Sequence, residues 1–307
     1  MSDPMTNRVT HGDFREILPG LPDQSFDLIF LDPPYFMQFT DKKMRRWGDG
    51  DSHLDGQTPE WDKFASQEAY NAFIVAVLEQ SQRLLKPEGC LWVSGTYQCI
   101  HRIGAIMADL GYWFLGDVTW FKRNAIPNFR GARLALNVET LIWAARGRTE
   151  AALPKRRYNR QAARQFSRDD WDAGHAMSVW NIPVCRGRER VKDEAGKTLH
   201  PTQKPIELLR RVITMTTSQG HRVLDPMCGT GTTAAAARQL RRDFVAIDAD
   251  ARYAKHAQAR LDAISPLDII APEKASSRYR HPTSHPKGWL VERCHACPLT
   301  CRAGHAA

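Results

Sequence analysis

The sequence predicts an α/β fold, and two observations support that class. Short apolar runs typical of buried strands alternate with segments whose apolar residues recur at helical spacing. In addition, the run Asp225 to Gly231 joins a predicted strand to a predicted helix and carries glycines at positions 229 and 231. Such a turn brings the backbone close to a ligand and directs helix N–H groups towards it. A ligand-binding α/β domain is therefore expected.

The first half of the chain begins with an apolar run, Phe26 to Leu31, which predicts a buried strand ending at two prolines. The polar stretch from Phe36 to about Phe64 predicts a long loop, of the kind that is mobile, functional or both. A helix follows with Ser66 as N-cap, because apolar residues from Tyr70 to Leu85 recur at helical spacing. The other elements predicted here are a strand at 90–94, a helix at 100–110 and strands at 113–121 and 140–145.

The regular pattern breaks between Arg146 and about Arg190, where basic and aromatic residues interleave, and this segment is predicted to be an insertion. Regular elements return after it, in the order helix 206–217, strand 222–224, helix 232–240, strand 244–247 and helix 251–264. From about Pro266 the chain is rich in Pro, Ser, His and Lys, so we expect it to pack poorly.

The charge of the chain points to a polyanionic partner. Lys and Arg number 43 against 34 Asp and Glu, a formal net charge of +9, and nucleic acid is the leading candidate. No apolar stretch approaches the roughly 18 residues of a membrane span, and the N-terminus lacks the apolar core of a signal peptide. We therefore expect a cytoplasmic protein without membrane contact. Its scattered cysteines are expected to be reduced: Cys90, Cys99, Cys185 and Cys228.

Asp248 strengthens the case for a nucleoside cofactor at the glycine-rich turn. The turn alone is also common in α/β packing that binds no ligand. Asp248, however, ends the next predicted strand about 20 residues further on, where an acidic side chain can bind ribose hydroxyls. The turn lacks the Lys-Ser/Thr ending of a P-loop, which argues against a nucleoside triphosphate.

The run Asp32-Pro33-Pro34-Tyr35 has the groups that methylation of an amino group on a base requires. An exocyclic base nitrogen is a poor nucleophile because its lone pair is delocalised into the ring. Asp32 and the carbonyl of Pro33 could accept its two hydrogens and localise the lone pair, while Tyr35 offers an aromatic face to the base. Alignment of the nitrogen with a methyl donor would then supply the rest of the rate enhancement. The alternative is a strand end stopped by prolines, with an incidental Asp.

These motifs together resemble a known family. Asp32 to Tyr35, followed by His200-Pro201-Thr202-Gln203-Lys204-Pro205 and then by Asp225 to Gly231, resembles the permuted, beta-class amino-methyltransferases of bacteria over roughly residues 8 to 265. The resemblance is greatest to the cell-cycle-regulated adenine-N6 methyltransferases acting at GANTC. It lies in three runs: Gly116 to Trp120, Ile126 to Gly131 and Glu139 to Ala144.

The resemblance implies an S-adenosylmethionine-dependent methyltransferase with a Rossmann-like fold, a mixed seven-stranded sheet and a circularly permuted motif order. It implies that Asp32, Pro33, Pro34 and Tyr35 are catalytic. It also implies the cofactor contacts: Asp225, Gly229 and Gly231 at the methionine part, Asp248 at the ribose, Asp13 at the adenine, and Thr202 with Lys204 beside the methionine. The chain departs from the family at three places, with Phe36 where the family usually has Asn, Val138 where it has His, and Met227-Cys228 where it has Phe-Phe.

The resemblance also implies a domain organisation and a partner. It divides the chain into a catalytic half at 1–146, an inserted target-recognition region at 147–199, a cofactor-binding half at 200–265 and a basic, flexible tail at 266–307. The partner would be double-stranded DNA with the target base flipped out, and a homodimer stands as an alternative to a monomer. Four basic residues of the insertion are expected to bind DNA, namely Lys155, Arg156, Arg157 and Arg160, although a solvated surface loop would have the same composition.

The tail holds a cluster that admits two interpretations. Cys294, Cys297, Cys301 and His305 would suffice for one tetrahedral zinc ion, or they belong to a disordered terminus. We predict no metal as the primary interpretation, since the spacing matches no familiar zinc module.

Three other functions share parts of this pattern. The first is methylation of the cytosine amino group, which uses the same fold and cofactor, but Ser in place of Asp32 is commoner there. The second is methylation of a protein glutamine, typically marked by Asn in place of Asp32. The third is a DNA-binding regulator that keeps the fold without turnover, against which the intact Asp32, Tyr35 and Gly229 argue.

Overall fold

A computed structural model of the chain describes residues 4–37, 59–125, 134–148, 171–172 and 175–270. Its centre is an eight-stranded mixed sheet, and two further short strands pair with each other. The strands are β1 (Arg8–His11), β2 (Phe26–Leu31), β3 (Leu85–Gly95), β4 (Trp113–Phe121), β5 (Val138–Ala145), β6 (Trp171–Asp172), β7 (His175–Ala176), β8 (Val179–Asn181), β9 (Arg222–Asp225) and β10 (Asp243–Asp248). The α/β class predicted from the sequence is confirmed.

The sheet runs in the order β1-β10-β9-β2-β3-β5-β4-β8. The first five of these strands are parallel to one another, β5 is antiparallel to both of its neighbours, and β8 is parallel to β4. The predicted number of seven strands is wrong by one. The short edge strands β1 and β8 did not stand out in the sequence, and β8 lies in the segment interpreted as irregular.

The helices cover both faces of the sheet. They are α1 (Phe14–Ile17), α2 (Gln67–Leu84), α3 (Ile100–Asp109), α4 (Ile206–Thr216), α5 (Thr232–Gln239) and α6 (Ala251–Asp262). On one face α2 and α3 pack over Ile29 and Leu31 of β2, and on the other α4 and α5 pack over Leu28 and Phe30. Because both faces of β2 are covered in this way, its sequence is continuously apolar from Leu28 to Leu31. None of the helices in the described ranges is long and apolar enough to span a membrane.

Local signals placed several helix ends correctly. The hydroxyl of Ser66 accepts the backbone N–H of Ala69, as its predicted role as N-cap of α2 requires. Asp250 caps α6 by accepting the N–H of Arg252. Because the parallel strands all point the same way, β2, β9 and β10 end at one edge of the sheet. That edge is where ligands bind in such folds.

Candidate active site

The carboxyl edge of the sheet gathers three of the predicted acidic residues. Asp32 follows β2 directly, Asp225 is the last residue of β9, and Asp248 is the last residue of β10. These three strands are neighbours in the sheet, so the structure brings the predicted target motif and the predicted cofactor turn side by side.

The glycine-rich turn needs its glycines for backbone reasons. Gly229 has φ 51° and Gly231 has φ 73°, both in the left-handed region that other residues rarely adopt. A Cβ at Gly231 would lie 2.9 Å from the Cβ of Ala257 on α6. The turn that joins β9 to α5 therefore packs closely against α6.

Asp248 fixes this turn in place. Its Oδ2 accepts the N–H of Gly229 at 2.7 Å, and its Oδ1 accepts the N–H of Asp250 at 2.9 Å. Burial raises the pKa of Asp248 to about 6, although these backbone hydrogen bonds act in the opposite direction. A carboxylate has about four acceptor positions, so the two oxygens keep capacity for ribose hydroxyls.

Asp225 is a buried carboxyl under the same turn. Its Oδ1 accepts the N–H of Met227 at 3.1 Å, and burial raises its pKa to about 7. Asp13 is placed differently, because it caps α1 and binds the N–H and guanidinium of Arg15. The pKa of Asp13 is lowered chiefly by its hydrogen bond to Arg15. The backbone N–H of Gly12 donates to the carbonyl of Asp248 at 2.9 Å, which places Asp13 at the same edge of the sheet.

An aromatic stack that the sequence did not predict covers the turn. The ring of His200 lies parallel to Trp61 at 5.3 Å and edge-on to Tyr253 at 4.7 Å. The His200 Nε2 is 3.5 Å from where a Cβ of Gly229 would lie, so the ring packs on the turn. Burial lowers the pKa of His200 to about 3, so the ring is neutral. Its Nδ1 lies 3.3 Å from the backbone nitrogen of Thr202 and 3.3 Å from the Thr202 hydroxyl.

Lys204 lies at the target motif. Its Nζ forms an ion pair with Asp32 Oδ2 at 2.7 Å and lies 5.0 Å from the centroid of the Tyr35 ring. The resemblance assigned Lys204 to the methionine part of the cofactor. In the structure its charged atom contacts the residue predicted to hold the target amino group.

Tyr35 is packed inward, with only 7% of its surface exposed. Its hydroxyl donates to Asp32 Oδ1 at 2.8 Å, lies 3.0 Å from Glu139 Oε2 and lies 3.1 Å from the hydroxyl of Ser94. Burial, with Asp32 and Glu139 nearby, raises the pKa of Tyr35 well above its ordinary value, so the hydroxyl stays protonated. With the Lys204 ammonium over its ring, Tyr35 does not present an open aromatic face in this state.

Glu139 joins a second lysine to this group. Its Oε1 is 2.6 Å from Lys122 Nζ, and its Oε2 is 3.7 Å from Lys204 Nζ. Burial raises the pKa of Glu139, but Lys204 and Lys122 together lower it by more. The net shift of the pKa is therefore downwards, and the side chain is ionised. Neither Glu139 nor Lys122 was predicted to have a role of its own. The sequence showed only two charged residues, Glu139 within β5 and Lys122 directly after β4, and their burial shows that they form a pair.

The loop that carries Tyr35 is held by a buried carboxylate. Asp62, 2% exposed, accepts the N–H of Phe36 at 2.6 Å and that of Met37 at 2.8 Å. Phe36 has φ 52°, a conformation that Asn adopts more easily than Phe. The hydroxyl of Tyr70 donates to the carbonyl of Pro34 at 2.9 Å, and Pro33 and Pro34 are both buried. These contacts fix the loop that follows β2.

Some predicted sites lie outside the described residues. These are the run Ile126 to Gly131, the basic residues Lys155, Arg156, Arg157 and Arg160, and the cluster Cys294, Cys297, Cys301 and His305. Among the residues that the structure describes, no group of three or more His, Cys, Asp or Glu side chains is placed to hold a metal ion.

The chain is similar in sequence to known proteins. A family model described as DNA methylase matches residues 26–259. The type II methyltransferase M.HinfI of Haemophilus influenzae is 40% identical over 260 residues, which cover 85% of this chain and 69% of that protein. The type II methyltransferase M2.DpnII of Streptococcus pneumoniae is 32% identical over 272 residues, which cover 86% of this chain and 94% of that protein.

Solved structures with the same fold are more distant in sequence. The PvuII DNA methyltransferase (cytosine-N4-specific) superimposes with a TM-score of 0.60 at 20% identity, covering 85% of this chain and 89% of the other. M1.HpyAVI in complex with S-adenosylmethionine gives a TM-score of 0.56 at 23% identity, covering 83% and 98%. These likenesses confirm the methyltransferase fold that the sequence predicted, with eight strands in place of seven.

Proposed function

The chain belongs to the N6/N4 DNA methylase family, and from that premise we propose that it methylates the exocyclic amino group of adenine in double-stranded DNA with S-adenosylmethionine as the donor. As a member of the family it is a DNA methyltransferase. The observation that carries the proposal is the position of Asp32, which follows β2 directly while the glycine-rich turn follows the neighbouring strand β9. Methyl transfer in line requires such an acceptor beside the donor site.

The residues of the turn fit a nucleoside cofactor. Positive φ at Gly229 and Gly231 brings bare backbone to the surface of the turn, and Asp248 keeps acceptor capacity for ribose hydroxyls. Asp225 and the two glycines would hold the methionine part, with Thr202 beside it and Asp13 at the adenine. S-adenosylmethionine, when bound, supplies an electrophilic methyl group on a sulfonium. M1.HpyAVI, which has the same fold, was solved in complex with S-adenosylmethionine.

Asp32 is proposed to activate the target nitrogen. Its carboxylate would accept one hydrogen of the amino group while the carbonyl of Pro33 accepts the other, which localises the nitrogen lone pair towards the methyl group. The nitrogen gains positive charge as it is methylated, and a carboxylate held in place beforehand stabilises that charge. The buried prolines and Asp62 hold the backbone of the loop in place before the base arrives.

Adenine in GANTC is the proposed target. Asp32 in place of Ser, together with the runs Gly116 to Trp120 and Glu139 to Ala144, supports adenine over the cytosine amino group. The base must leave the duplex to reach Asp32, because a stacked base cannot place its amino group in a pocket. Tyr35 would stack on the flipped base once the Lys204 ammonium has moved from its ring.

DNA binding is proposed to depend on the basic segment within 147–199. The net charge of +9 and the cluster at Lys155, Arg156, Arg157 and Arg160 suit contacts to phosphates, which position a protein on the duplex. Recognition of the target sequence is assigned to the same region, and the catalytic and cofactor-binding parts flank it at 1–146 and 200–265.

One experiment tests the proposed function. Plasmid DNA without methyl marks is incubated with the protein and S-adenosylmethionine labelled in its methyl group, and the nucleosides are then separated. We expect the label in N6-methyl-2′-deoxyadenosine. Label in N4-methyl-2′-deoxycytidine would show that cytosine is the target base. Label in protein added to the reaction would favour a protein methyltransferase, and no transfer at all would favour a DNA-binding regulator. A reaction with the Asp32→Ala variant controls for contaminating methyltransferases.

A further inference from the structure

Four charged side chains, three of them buried, form one group at the target motif. Asp32 pairs with Lys204 at 2.7 Å, Glu139 pairs with Lys122 at 2.6 Å, and 3.7 Å separates Lys204 Nζ from Glu139 Oε2. The side chains of Lys122, Lys204 and Glu139 are at most 10% exposed, whereas Asp32 is 21% exposed. Two acids and two lysines balance in charge, and only Asp32 has a substantial opening to an incoming base.

Both oxygens of Asp32 are engaged in the arrangement seen. Oδ1 accepts from the Tyr35 hydroxyl at 2.8 Å, and Oδ2 accepts from Lys204. An amino group of a base would donate to the same carboxylate as the ammonium does. Lys204 therefore occupies the position in which the substrate is expected to bind.

The ammonium also opposes the reaction where it stands. The target nitrogen becomes positive as it takes the methyl group, and it approaches a sulfonium that is already positive. A carboxylate alone stabilises that charge, but a carboxylate paired with an ammonium presents a nearly neutral pair. Lys204 has to leave Asp32 before Asp32 can support the transfer.

Glu139 provides the place to which Lys204 can move. A shift of about 1 Å would bring Nζ from 3.7 Å to normal charged hydrogen-bond distance from Oε2, and a lysine stem allows that movement. The Tyr35 hydroxyl lies within 3.0 Å of the carboxylates of both Asp32 and Glu139, yet it has a single proton to donate. Once Lys204 pairs with Glu139, the Tyr35 hydroxyl can donate its hydrogen bond to Asp32 alone. The group remains neutral throughout.

We infer that Glu139 is a positioning residue that takes the Lys204 ammonium from Asp32 when the target amino group arrives. The inference rests on the proposed function, since it assigns Asp32 to an amino group of the substrate. Lys122 holds the far oxygen of Glu139, and Lys204 together with Lys122 keeps the acid ionised in its buried site. The alternative is a purely structural role, in which Glu139 only neutralises the buried charge of Lys122.

Charge-removing variants distinguish these two roles. Under single-turnover conditions with saturating DNA, Glu139→Gln should slow methylation by about 10- to 100-fold, which lies within the range of coupling between contacting residues. The dissociation constant for S-adenosylmethionine, measured by calorimetry, should stay within about threefold of wild type, because Glu139 does not border the glycine-rich turn. Glu139→Asp, which keeps the charge on a shorter side chain, should recover part of the rate.

The double variant Glu139→Gln/Lys122→Met provides the sharpest comparison. It replaces a buried ion pair by neutral groups, a change that proteins often tolerate well, so it keeps the test available if Glu139→Gln alone folds poorly. We expect it to be as slow as Glu139→Gln. Recovery of the wild-type rate would overturn the inference, because Glu139 would then matter only to Lys122.

Two further measurements complete the design. In a Lys204→Met background, Glu139→Gln should slow the reaction much less than it does alone, and full additivity would also overturn the inference. Asp27→Asn is the matched control, since it breaks the 2.8 Å ion pair with Lys86 at the opposite end of β2 and should leave the rate unchanged. An inactive wild-type protein would refute the proposed function, whereas an active wild type with an equally fast Glu139→Gln variant would refute only the role of Glu139.

Discussion

Replacement of Asp62 by Asn should slow methyl transfer by loosening the loop that carries Tyr35. The carboxylate of Asp62 accepts two backbone N–H groups, from Phe36 at 2.6 Å and from Met37 at 2.8 Å. An Asn side chain has one oxygen, so it keeps one of these hydrogen bonds and turns its NH2 group against the other donor. Phe36, at φ 52°, has a strained conformation that can relax once a bond is lost.

The size of the effect follows from the lost hydrogen bond. A hydrogen bond to a charged group contributes about 1.5 to 3 kcal/mol, and the Asn that replaces Asp62 still offers one acceptor oxygen, which favours the lower part of that range. A loss of about 1.5 to 2 kcal/mol in the competent loop conformation corresponds to a rate about 10- to 30-fold lower. The melting temperature should fall as well, while affinity for S-adenosylmethionine should change little.

Single-turnover methylation with saturating DNA and cofactor measures this effect. Glu60→Gln is the matched control, because Glu60 lies in the same short turn but pairs with Lys63 in an exposed ion pair worth little. A wild-type rate in Asp62→Asn, or an equal loss in Glu60→Gln, would refute the argument that the buried carboxylate holds the loop.

The remaining predictions concern the acidic residues at the edge of the sheet. Asp32→Ala should abolish methyl transfer while calorimetry shows cofactor binding largely retained; a variant that still methylates DNA would contradict the role of Asp32. Asp248→Ala should raise the dissociation constant for S-adenosylmethionine about tenfold or more, the equivalent of one lost charged hydrogen bond, and unchanged affinity would remove the ribose assignment. Burial raises the pKa of Asp225 to about 7, so the folded protein retains a proton that the unfolded chain releases. The contribution of Asp225 to the unfolding free energy of the cofactor-free protein should therefore fall as pH rises from about 4 to about 7. Urea titrations should show a weaker fall for Asp225→Asn, and an identical pH dependence would contradict the shift.

Much of the fold was predictable because its signals are local. The apolar run of β2 was predicted at its observed bounds, and Ser66 was predicted as the N-cap of α2. The edge strand β8 was missed because it has three residues, and its anchor Trp180 is buried through contact with Trp92 from β3. Such long-range packing has no local sequence pattern.

The candidate site divides in the same way. Asp32 was predicted at the target amino group, and Asp225 and Asp248 at the cofactor; they meet because each follows or ends a strand and parallel strands end at one edge of the sheet. The ion pair between Lys204 and Asp32 and the role of Asp62 were not expected. Both contacts join segments that are distant in sequence, and they depend on burial that composition does not reveal.

The most direct test of the account is the position of the methyl mark. Unmethylated plasmid DNA treated with the protein and S-adenosylmethionine is sequenced by a method that detects methylated adenine and methylated cytosine. The account predicts N6-methyladenine at the second position of GANTC and no mark in DNA treated with Asp32→Ala. Methylated cytosine, a mark at another sequence, or an unmarked plasmid would contradict it.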